Sequence, residues 1–212
     1  MGSAEGIVRK GLYGLAQNFS GGSMIVDLSL SLNEETPVYP GDPEIKVRPW
    51  AFIDTDGYYM NVIKMGEHSG THVDAPAHFV PGGKTVDELP LDKFIGKAFV
   101  IDVRGGEGPV RLEEIPDSGY YGKIVLFLTG GRELSPEVAL FLVAEGVKAV
   151  GTDHMTIGDE TTHTIFLSEE IPIFENLANL EEVLGREFTF IAFPLKIEGG
   201  SGSPVRAVAI LG

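Results

Sequence analysis

The sequence contains no cysteine among its 212 residues. Disulfide bonds and thiolate metal ligands are therefore excluded, and the composition fits a reducing compartment. Long apolar runs are also missing, since "VALFLVA" and "FIAF" fall far short of a membrane span. The chain does not open with a cationic stretch followed by an apolar one, so a secretory signal is not expected. Together these absences predict a cytoplasmic protein that does not insert into membranes.

Positive charge is scarce. Sixteen Lys and Arg residues stand against 31 Asp and Glu residues, which gives a formal net charge of −15. Nucleic acids and anionic membrane surfaces are bound through clustered Lys and Arg, so neither is an expected partner. The acidity itself is explained by solubility. The content of 43% hydrophobic and 22% charged residues is ordinary for a globular protein, and the length suits one domain or two small ones.

Residues 1–23 differ from the rest of the chain and are expected to be an N-terminal extension. The segment ends in a flexible Gly-Gly-Ser, after which Met24 resembles a natural start. Four apolar residues follow a helical spacing: Val8, Leu12, Leu15 and Phe19. Gly11 and Gly14 weaken such a helix by about 1 kcal/mol each. We expect an appended or linker-like segment that docks on a partner, the alternative being a native helix packed on the domain of residues 24–212.

After Met24 the pattern predicts a strand-rich α/β domain. The candidate strands are "MIVDLSLSL", "IKVRPWAFI", "YMNVIKM", "KAFVIDV", "KIVLFL", "KAVGT", "FTFIAF" and "VRAVAIL". The best helix is "SPEVALFLVAEG", with Ser135 as N-cap, Pro136 in the first turn and Gly146 as the stop. "TTHTIFLSEE" and "NLEEVLG" are candidates for shorter helices. A single α/β domain with more strand than helix is the economical interpretation.

Three of the five histidines lie within "EHSGTHVDAPAHF", which occupies residues 67–79. Four even-numbered positions carry the cluster: His68, His72, Asp74 and His78. Side chains alternate along a strand, so all four would point to one side of an extended segment. About ten extended residues span about 33 Å, which is too far for one metal ion. The segment must therefore curl, and Gly70 and Pro76 supply places to bend.

Two neutral imidazoles and a carboxylate on one side form a ligand set for a first-row metal ion. The count is short of a closed structural site, so positions would stay open to water. His78, just past these ligands, could then carry protons. The alternative is a group of ordinary core or surface histidines. The absence of thiolate suits zinc, manganese, iron or cobalt.

The remaining histidines, His154 and His163, follow a predicted strand or open a helix, where sites of α/β proteins gather. Glu175 ends the β-like run "IPIFE". This glutamate is either a frayed surface residue or a buried one with a partner. Because burial without a cation is costly, a metal ion would be a suitable partner.

The segment "HSGTHVDAPAHF" fits the pattern H-x-G-T-H-x-D-x-P-x-H, and through it the chain resembles the cyclase family of metal-dependent hydrolases. Bacterial kynurenine formamidases and isatin hydrolases belong to that family. "DLSLSLNEETPVYPGD" is similar to the opening strand and turn of the family, and "PLKIEGGSGSPVRAVAI" to its closing segment. The resemblance therefore covers about residues 25–211.

The resemblance implies a swivelling β/β/α fold and a homodimer or higher homo-oligomer. It also implies that His68, His72 and Asp74 bind metal, with the aspartate bridging to a second ion. His163 and Glu175, twelve residues apart, would complete a site for two divalent ions, zinc before manganese. The resemblance makes His78 the proton donor and acceptor. It offers no counterpart for His154, which we expect to have a supporting or structural role.

The implied reaction is hydrolysis of an aromatic amide, first of all N-formylkynurenine to kynurenine and formate in tryptophan catabolism. Kynurenine formamidases tend to carry tryptophan in the opening turn where this chain has Tyr39, in "PVYPGD". Tyr39 and Phe79 are the expected substrate-binding aromatics, with Trp50 as a further candidate. Core packing is the alternative for Phe79 and Trp50. Two other functions stay open: a cyclic-amide hydrolase of the isatin type with one manganese ion, and a non-catalytic metal-binding member of the family.

Overall fold

The computed structural model describes residues 16–18, 24–117 and 119–212. Strands dominate this part of the chain. In the first half they are β1 (Ala16–Asn18), β2 (Met24–Asp27), β3 (Lys46–Ala51), β4 (Met60–Lys64), β5 (His72–Asp74) and β6 (Ile95–Asp102). In the second half they are β7 (Ile124–Leu128), β8 (Ala149–Thr152), β9 (Ile173–Glu175), β10 (Phe188–Ile191), β11 (Gly202–Pro204) and β12 (Val208–Leu211).

Helices are fewer and short. The α-helices are α1 (Ile53–Asp56), α2 (Pro136–Ala144) and α3 (Glu160–Ser168), and 3₁₀ turns lie at Pro76–His78, Leu91–Phe94, Leu112–Glu114 and Leu180–Val183. The predicted start and stop of α2 are confirmed. The Ser135 hydroxyl accepts a hydrogen bond from the Val138 amide, and Gly146 has a φ of 73°, a left-handed conformation that glycine adopts freely. None of the helices in the described ranges combines the length and apolar character needed to cross a membrane.

One ten-stranded sheet organises the domain, in the order β1-β2-β12-β10-β6-β7-β8-β9-β5-β11. The central run from β6 to β9 is parallel, and the neighbouring pairs on both sides are antiparallel. A bridge between Ser29 and Leu177 joins the stretch after β2 to the stretch after β9, so the sheet curls. The predicted strand-rich single α/β domain is confirmed.

The central strand β7 shows why the sheet is buried on both faces. All five of its residues are buried. Ile124, Leu126 and Leu128 belong to one apolar cluster, whereas Val125 and Phe127 belong to a second cluster with α2 and α3. Side chains alternate across a strand, so a continuous apolar run of this kind is typical of a parallel strand covered on both sides.

The other predicted elements are found with adjusted ends. The first predicted strand stops at Asp27, whose side chain accepts a hydrogen bond from the Ser29 amide and so favours a turn. "NLEEVLG" forms only the 3₁₀ turn Leu180–Val183. The four apolar positions of the predicted N-terminal helix lie outside the described residues. Residues 16–18 of that segment form β1, paired with β2.

A separate two-stranded sheet, β3 paired with β4, projects from the domain. We refer to residues 46–64, which comprise these strands and α1, as the hairpin. Every residue of β4 is exposed, and so are most of β3. The exposed large apolar side chains of the hairpin are Trp50, Phe52, Ile53, Tyr58, Tyr59, Met60, Val62 and Ile63.

Candidate metal centre

Two adjacent strands bring carboxylates and an imidazole together inside the sheet. β5 pairs with β9 so that His72 lies opposite Glu175. His72 and Asp74 are two apart on β5 and point to the same face, as predicted from their even numbering. Their exposed fractions are 2% for His72, 1% for Asp74 and 4% for Glu175. The side-chain ligand atoms of these three residues all lie within 4.8 Å of one another.

Backbone carbonyls fix the rings of two histidines. Nδ1 of His72 lies 2.8 Å from the Gly70 oxygen, and Nδ1 of His163, on α3, lies 2.9 Å from the Asp159 oxygen. A carbonyl oxygen only accepts, so Nδ1 donates in both rings and Nε2 is the atom left to bind a proton or a metal ion. Those Nε2 atoms face carboxylates: His72 is 3.3 Å from Asp74 Oδ1, and His163 is 3.1 Å from Glu175 Oε1.

Asp74 lies at the centre of this group. Its Oδ1 is 2.7 Å from Nδ1 of His68, and its Oδ2 is 3.7 Å from Nε2 of His163. Oδ2 is buried and has no hydrogen-bond partner among the described residues. An unpaired buried carboxylate oxygen is costly unless a cation compensates it. We call His68, His72, Asp74, His163 and Glu175 the metal cradle, because this orphaned oxygen and the surrounding lone pairs fit a metal ion.

The electrostatics of the metal cradle favour bound positive charge. Burial lowers the pKa of His72, but hydrogen bonds with Asp74 and Glu175 outweigh it and raise that pKa to about 10. Burial also lowers the pKa of His163, but the Glu175 carboxylate raises it to about 9. Burial would raise the pKa of Asp74, yet hydrogen bonds from His68 and His72 hold it well below its usual range. Carboxylates that stabilise a proton on the neighbouring imidazoles so strongly also favour a metal ion, which competes with the imidazole protons.

His78 stands beside the metal cradle on its open side. It ends the 3₁₀ turn that begins at Pro76, and its ring stacks on His68 with the ring centres 3.8 Å apart. The residue is exposed, unlike His72 and His163. Partial desolvation of the ring lowers the pKa of His78, and the attraction of Asp74 only partly opposes this. The ring is therefore neutral at neutral pH and able to accept a proton.

A cavity of about 450 Å³ opens onto these side chains. Tyr39 and Phe79, the two predicted substrate-binding aromatics, both line it. Phe79 also packs against the apolar cluster that includes α3, so its core and pocket roles coexist. Trp50 does neither: it is 66% exposed on the hairpin and is not among the residues that line this cavity. Both alternatives for Trp50 are therefore wrong within this chain, because the hairpin carries the residue away from the core.

Comparison with known proteins places this geometry in a family. Residues 26–159 match the family model described as "Putative cyclase". The chain belongs to the cyclase family. The predicted family membership is thereby confirmed, and the match contains the whole segment from His68 to His78.

Curated relatives share nearly the full length. The chain is 35% identical over 204 residues to the kynurenine formamidase of Salinibacter ruber, an alignment that covers 87% of this chain and 96% of the relative. It is 28% identical over 200 residues to the kynurenine formamidase of Erythrobacter litoralis, covering 87% of this chain and 92% of the relative. The resemblance to cyclase-family members thus extends well beyond the histidine motif.

Solved structures of similar proteins have the same fold. Isatin hydrolase A from Labrenzia aggregata, bound to benzyl benzoate, superposes with a TM-score of 0.81 at 26% identity, covering 89% of this chain and 94% of that one. A predicted metal-dependent hydrolase from Bacillus stearothermophilus gives a TM-score of 0.76 at 27% identity, covering 89% and 98%. The fold class expected of a cyclase-family protein is therefore confirmed.

The structure brings the predicted site residues together, while their ligand roles stay predictions. All five residues of the metal cradle meet around Asp74. The predicted bend at Gly70 is present, with a φ of 64°. His154 is different: its main-chain oxygen accepts a hydrogen bond from the Asn176 amide, and its ring is not among those lining the cavity of this cyclase-family chain.

Sequence analysis missed three residues that support the site. Asn176 follows Glu175 with a φ of 54°. Its side chain donates a hydrogen bond to the Gly70 oxygen, which also accepts one from Nδ1 of His72. Glu67 and Ser201 form a hydrogen-bonded pair behind His68. Ser201 is 133 residues from His68 along the chain, so no local pattern announces this contact. Glu67 was visible at the edge of the cyclase-family motif but carries no spacing signal of its own.

Proposed function

We propose that this protein is a metal-dependent arylformamidase that hydrolyses N-formylkynurenine to kynurenine and formate. The observation that carries the proposal is the metal cradle, with the orphaned oxygen of Asp74 at its centre and the exposed His78 beside it. The kynurenine formamidases among its relatives support the choice of reaction.

The metal cradle is proposed to hold two zinc ions. Asp74 supports this number because its two oxygens face different histidines, Oδ1 towards His68 and Oδ2 towards His163. The donors are imidazole nitrogens and carboxylate oxygens, which suit zinc or manganese. When bound, a divalent metal at these residues supplies a Lewis acid that polarises the formyl carbonyl and lowers the pKa of water.

His78 is the proposed acid and base. Its neutral ring takes a proton from the attacking water and returns it to the aniline nitrogen as the C–N bond breaks. The stack on His68 and the edge contact with Phe79, with ring centres 4.4 Å apart, orient the imidazole. A site with a purely structural role has no need of such a group, which argues against the non-catalytic alternative.

Tyr39 and Phe79 are the proposed walls for the aromatic ring of the substrate. Both line the cavity, whose volume of about 450 Å³ falls within the range typical of small-molecule sites. Tyr39 provides an aromatic face at the position where the kynurenine formamidases tend to carry tryptophan. This difference bears on the affinity for the substrate more than on the reaction.

A homodimer or higher homo-oligomer is proposed, with the hairpin as its contact. The hairpin exposes large apolar side chains on both strands, including Trp50 at 66% and Ile63 at 57%. Contiguous exposed apolar surface of this kind is typical of protein interfaces. Two strands alone are also marginally stable, so packing against a second copy would support them.

The division of the chain stays a proposal as well. We assign catalysis to residues 24–212 and treat residues 1–23 as an extension that docks on a partner. A cytoplasmic location is proposed on the cysteine-free composition.

A second candidate is hydrolysis of cyclic amides such as isatin with a single manganese ion. The superposition on isatin hydrolase A, with a TM-score of 0.81, favours keeping it. Metal analysis and a chelator-sensitive assay on formamides, lactams and carbamates separate the candidates. Near two ions per chain with preference for N-formylkynurenine is the expected result. Near one ion with preference for isatin would replace the first proposal by the second, and no metal-dependent hydrolysis would reject both.

A further inference from the structure

His68 presents a different ring nitrogen to the metal cradle from the other two histidines. In His72 and His163, Nδ1 donates to a backbone carbonyl and Nε2 faces the carboxylates. In His68 the order is reversed. Nδ1 lies 2.7 Å from Asp74 Oδ1, and Nε2 lies 2.9 Å from the Ser201 hydroxyl oxygen. The state of the Ser201 hydroxyl therefore decides which nitrogen of His68 carries the proton.

Glu67 determines where the single proton of that hydroxyl points. Oε2 of Glu67 lies 2.9 Å from the Ser201 amide nitrogen and 2.9 Å from the Ser201 hydroxyl oxygen. An ionised carboxylate only accepts hydrogen bonds, and a serine hydroxyl has one proton to donate. The hydroxyl thus donates to Glu67, and its oxygen must accept from His68. It follows that Nε2 of His68 is the protonated nitrogen.

We infer that Glu67 and Ser201 are positioning residues that hold His68 as the Nε2–H tautomer and so direct its Nδ1 lone pair to the metal. Without a cation, the Nδ1 lone pair would face the Asp74 carboxylate at 2.7 Å, which is repulsive. A metal ion bound by both atoms removes that conflict. The inference rests on the proposed metal site and extends it, because it assigns the ligating atom and the residues that select it.

The surrounding backbone keeps the hydrogen-bonded residues Glu67, Ser201 and His68 in place. The Ser201 oxygen accepts from the Ala75 amide at 2.9 Å, which ties it to the end of β5. Gly202 packs against the ring of His68: a Cβ there would lie 2.5 Å from Cε1. The ring is thus confined on one face by the main chain and at Nε2 by the hydroxyl. Outer hydrogen bonds of this kind orient metal-binding histidines and set their tautomer.

The hydrogen bonds that link Asp74 to His68 and His68 to Ser201 also resemble a catalytic triad, but two observations exclude a serine nucleophile. The proton of the hydroxyl is committed to Glu67, so His68 cannot act as its base. Ser201 is not among the residues that line the cavity, whereas His68 is. The hydroxyl therefore acts on the histidine and not on a substrate.

The direct test is nuclear magnetic resonance of the full chain, labelled with ¹⁵N-histidine and loaded with ¹¹³Cd. The expected result is metal coupling to Nδ1 of His68 and to Nε2 of His72 and His163. Coupling to Nε2 of His68, or no binding of cadmium or zinc by the wild type, would overturn the inference. Coupling to Nδ1 in a protein without formamidase activity would sustain it and reject the proposed substrate instead.

Variants test the positioning role of Glu67 and Ser201 without relying on catalysis. We expect Ser201→Ala to weaken zinc affinity about 10- to 100-fold in a chelator competition, as loss of an outer partner does. Glu67→Gln should weaken it similarly, because the glutamine amide can donate to Ser201 and turn its proton towards His68. Ser201→Thr, which keeps the hydroxyl, should retain most of the affinity.

Ser203→Ala is the matched control, since the hydroxyl of Ser203 accepts from Leu195 and donates to Pro204, not to a histidine. It should leave zinc affinity unchanged even if it lowers stability. Circular dichroism shows whether each variant is folded. Wild-type zinc affinity in folded Ser201→Ala and Glu67→Gln, or an equal loss in Ser203→Ala, would contradict the positioning role.

Discussion

The metal cradle and the hairpin break the usual rule of burial in opposite directions. Polar side chains fill the metal cradle, yet Asp74 and Glu175 are only 1% and 4% exposed. Apolar side chains cover the hairpin, yet Trp50 and Ile53 are 66% and 68% exposed. Ordinary folding would bury the apolar side chains and expose the carboxylates, because burial favours apolar groups and penalises unpaired charge.

Each region therefore calls for a group from outside the described chain, a cation in one case and a covering surface in the other. Buried carboxylates need a cation, which explains why they raise the pKa of His72 to about 10. Exposed aromatic and aliphatic side chains need a surface to cover them. The contrast teaches that departures from the burial rule are the places to look for a ligand and for a partner, as proposed above for the metal cradle and the hairpin. It also predicts that the two regions respond to mutation independently, since no residue of the hairpin lines the cavity at the metal cradle and changes at sites without shared partners usually add.

Loss of the central carboxylate should have the largest effect. Asp74→Asn removes the negative charge that faces His68, His72 and His163 while keeping the shape of the side chain. We expect metal affinity to fall by more than the roughly 10- to 100-fold typical of an outer partner, and hydrolysis to be abolished. Inductively coupled plasma analysis of the purified variant measures the first effect, and a formamide assay the second. Full metal content in Asp74→Asn would show that the metal lies elsewhere.

Loss of the proton carrier should be next in size. His78→Ala leaves the five proposed ligands in place, so metal content should stay close to that of the wild type. Turnover should fall on the order of 10²–10⁴-fold, the usual effect of removing an acid or base. Stopped assays with metal analysis on the same sample check both statements. If His78→Ala emptied the site of metal, the residue would be a ligand and the division between His78 and the metal cradle would be wrong.

The sequence predicted the metal cradle better than the architecture around it. Alternation along an extended segment placed His72 and Asp74 on one face, and the structure has them there. His163 and Glu175 entered through the family resemblance, because their meeting with β5 depends on the pairing of β9, which no local pattern encodes. Ser201 was missed for the same reason: it reaches His68 only because β11 pairs with β5.

Trp50 shows the other limit of sequence analysis. "IKVRPWAFI" predicted a strand, which is confirmed. The reaction implied by the resemblance suggested a pocket wall for its tryptophan, and hydrophobicity suggested core packing as the alternative. Periodicity gives the side of a strand on which a residue lies, but not whether another layer covers that side. β3 and β4 pair only with each other in the described chain, so both faces of the hairpin stay open. Strand type was therefore predictable here, and burial was not.

Charge placed on the hairpin should affect assembly and leave metal binding intact. Trp50→Asp or Ile63→Asp puts a carboxylate into the proposed contact. If these side chains are central to it, each should cost about 2 kcal/mol of association, near 30-fold in the dissociation constant. Sedimentation equilibrium measures the shift, and zinc content should not change. Tyr121→Asp is the matched control, because Tyr121 is an aromatic that is 87% exposed outside the hairpin. Equal dissociation in all three variants, or in none, would remove the hairpin from the interface.

Deletion of residues 1–23 should have the smallest effect on both regions. The deletion removes β1, which pairs through only three residues with β2 at the edge of the ten-stranded sheet. β2 keeps its pairing with β12 on the other side. Three residues of the metal cradle lie on the far strands β5 and β9. We expect unchanged metal content, turnover within about twofold, and a melting temperature within a few degrees, since a loss of about 0.5 kcal/mol moves it little.

Thermal melts and assays of the chain that starts at Met24 test this, with the full chain as the control. Ordering residues costs about 1–2 kcal/mol each, so an extension that stabilised the domain would have to repay that cost through contacts of its own. A large loss of stability would show that the segment belongs to the fold. A fall in the number of chains per assembly, with unchanged zinc content, would instead connect the segment to the hairpin and to assembly. That result would be in keeping with a segment that docks on a partner copy.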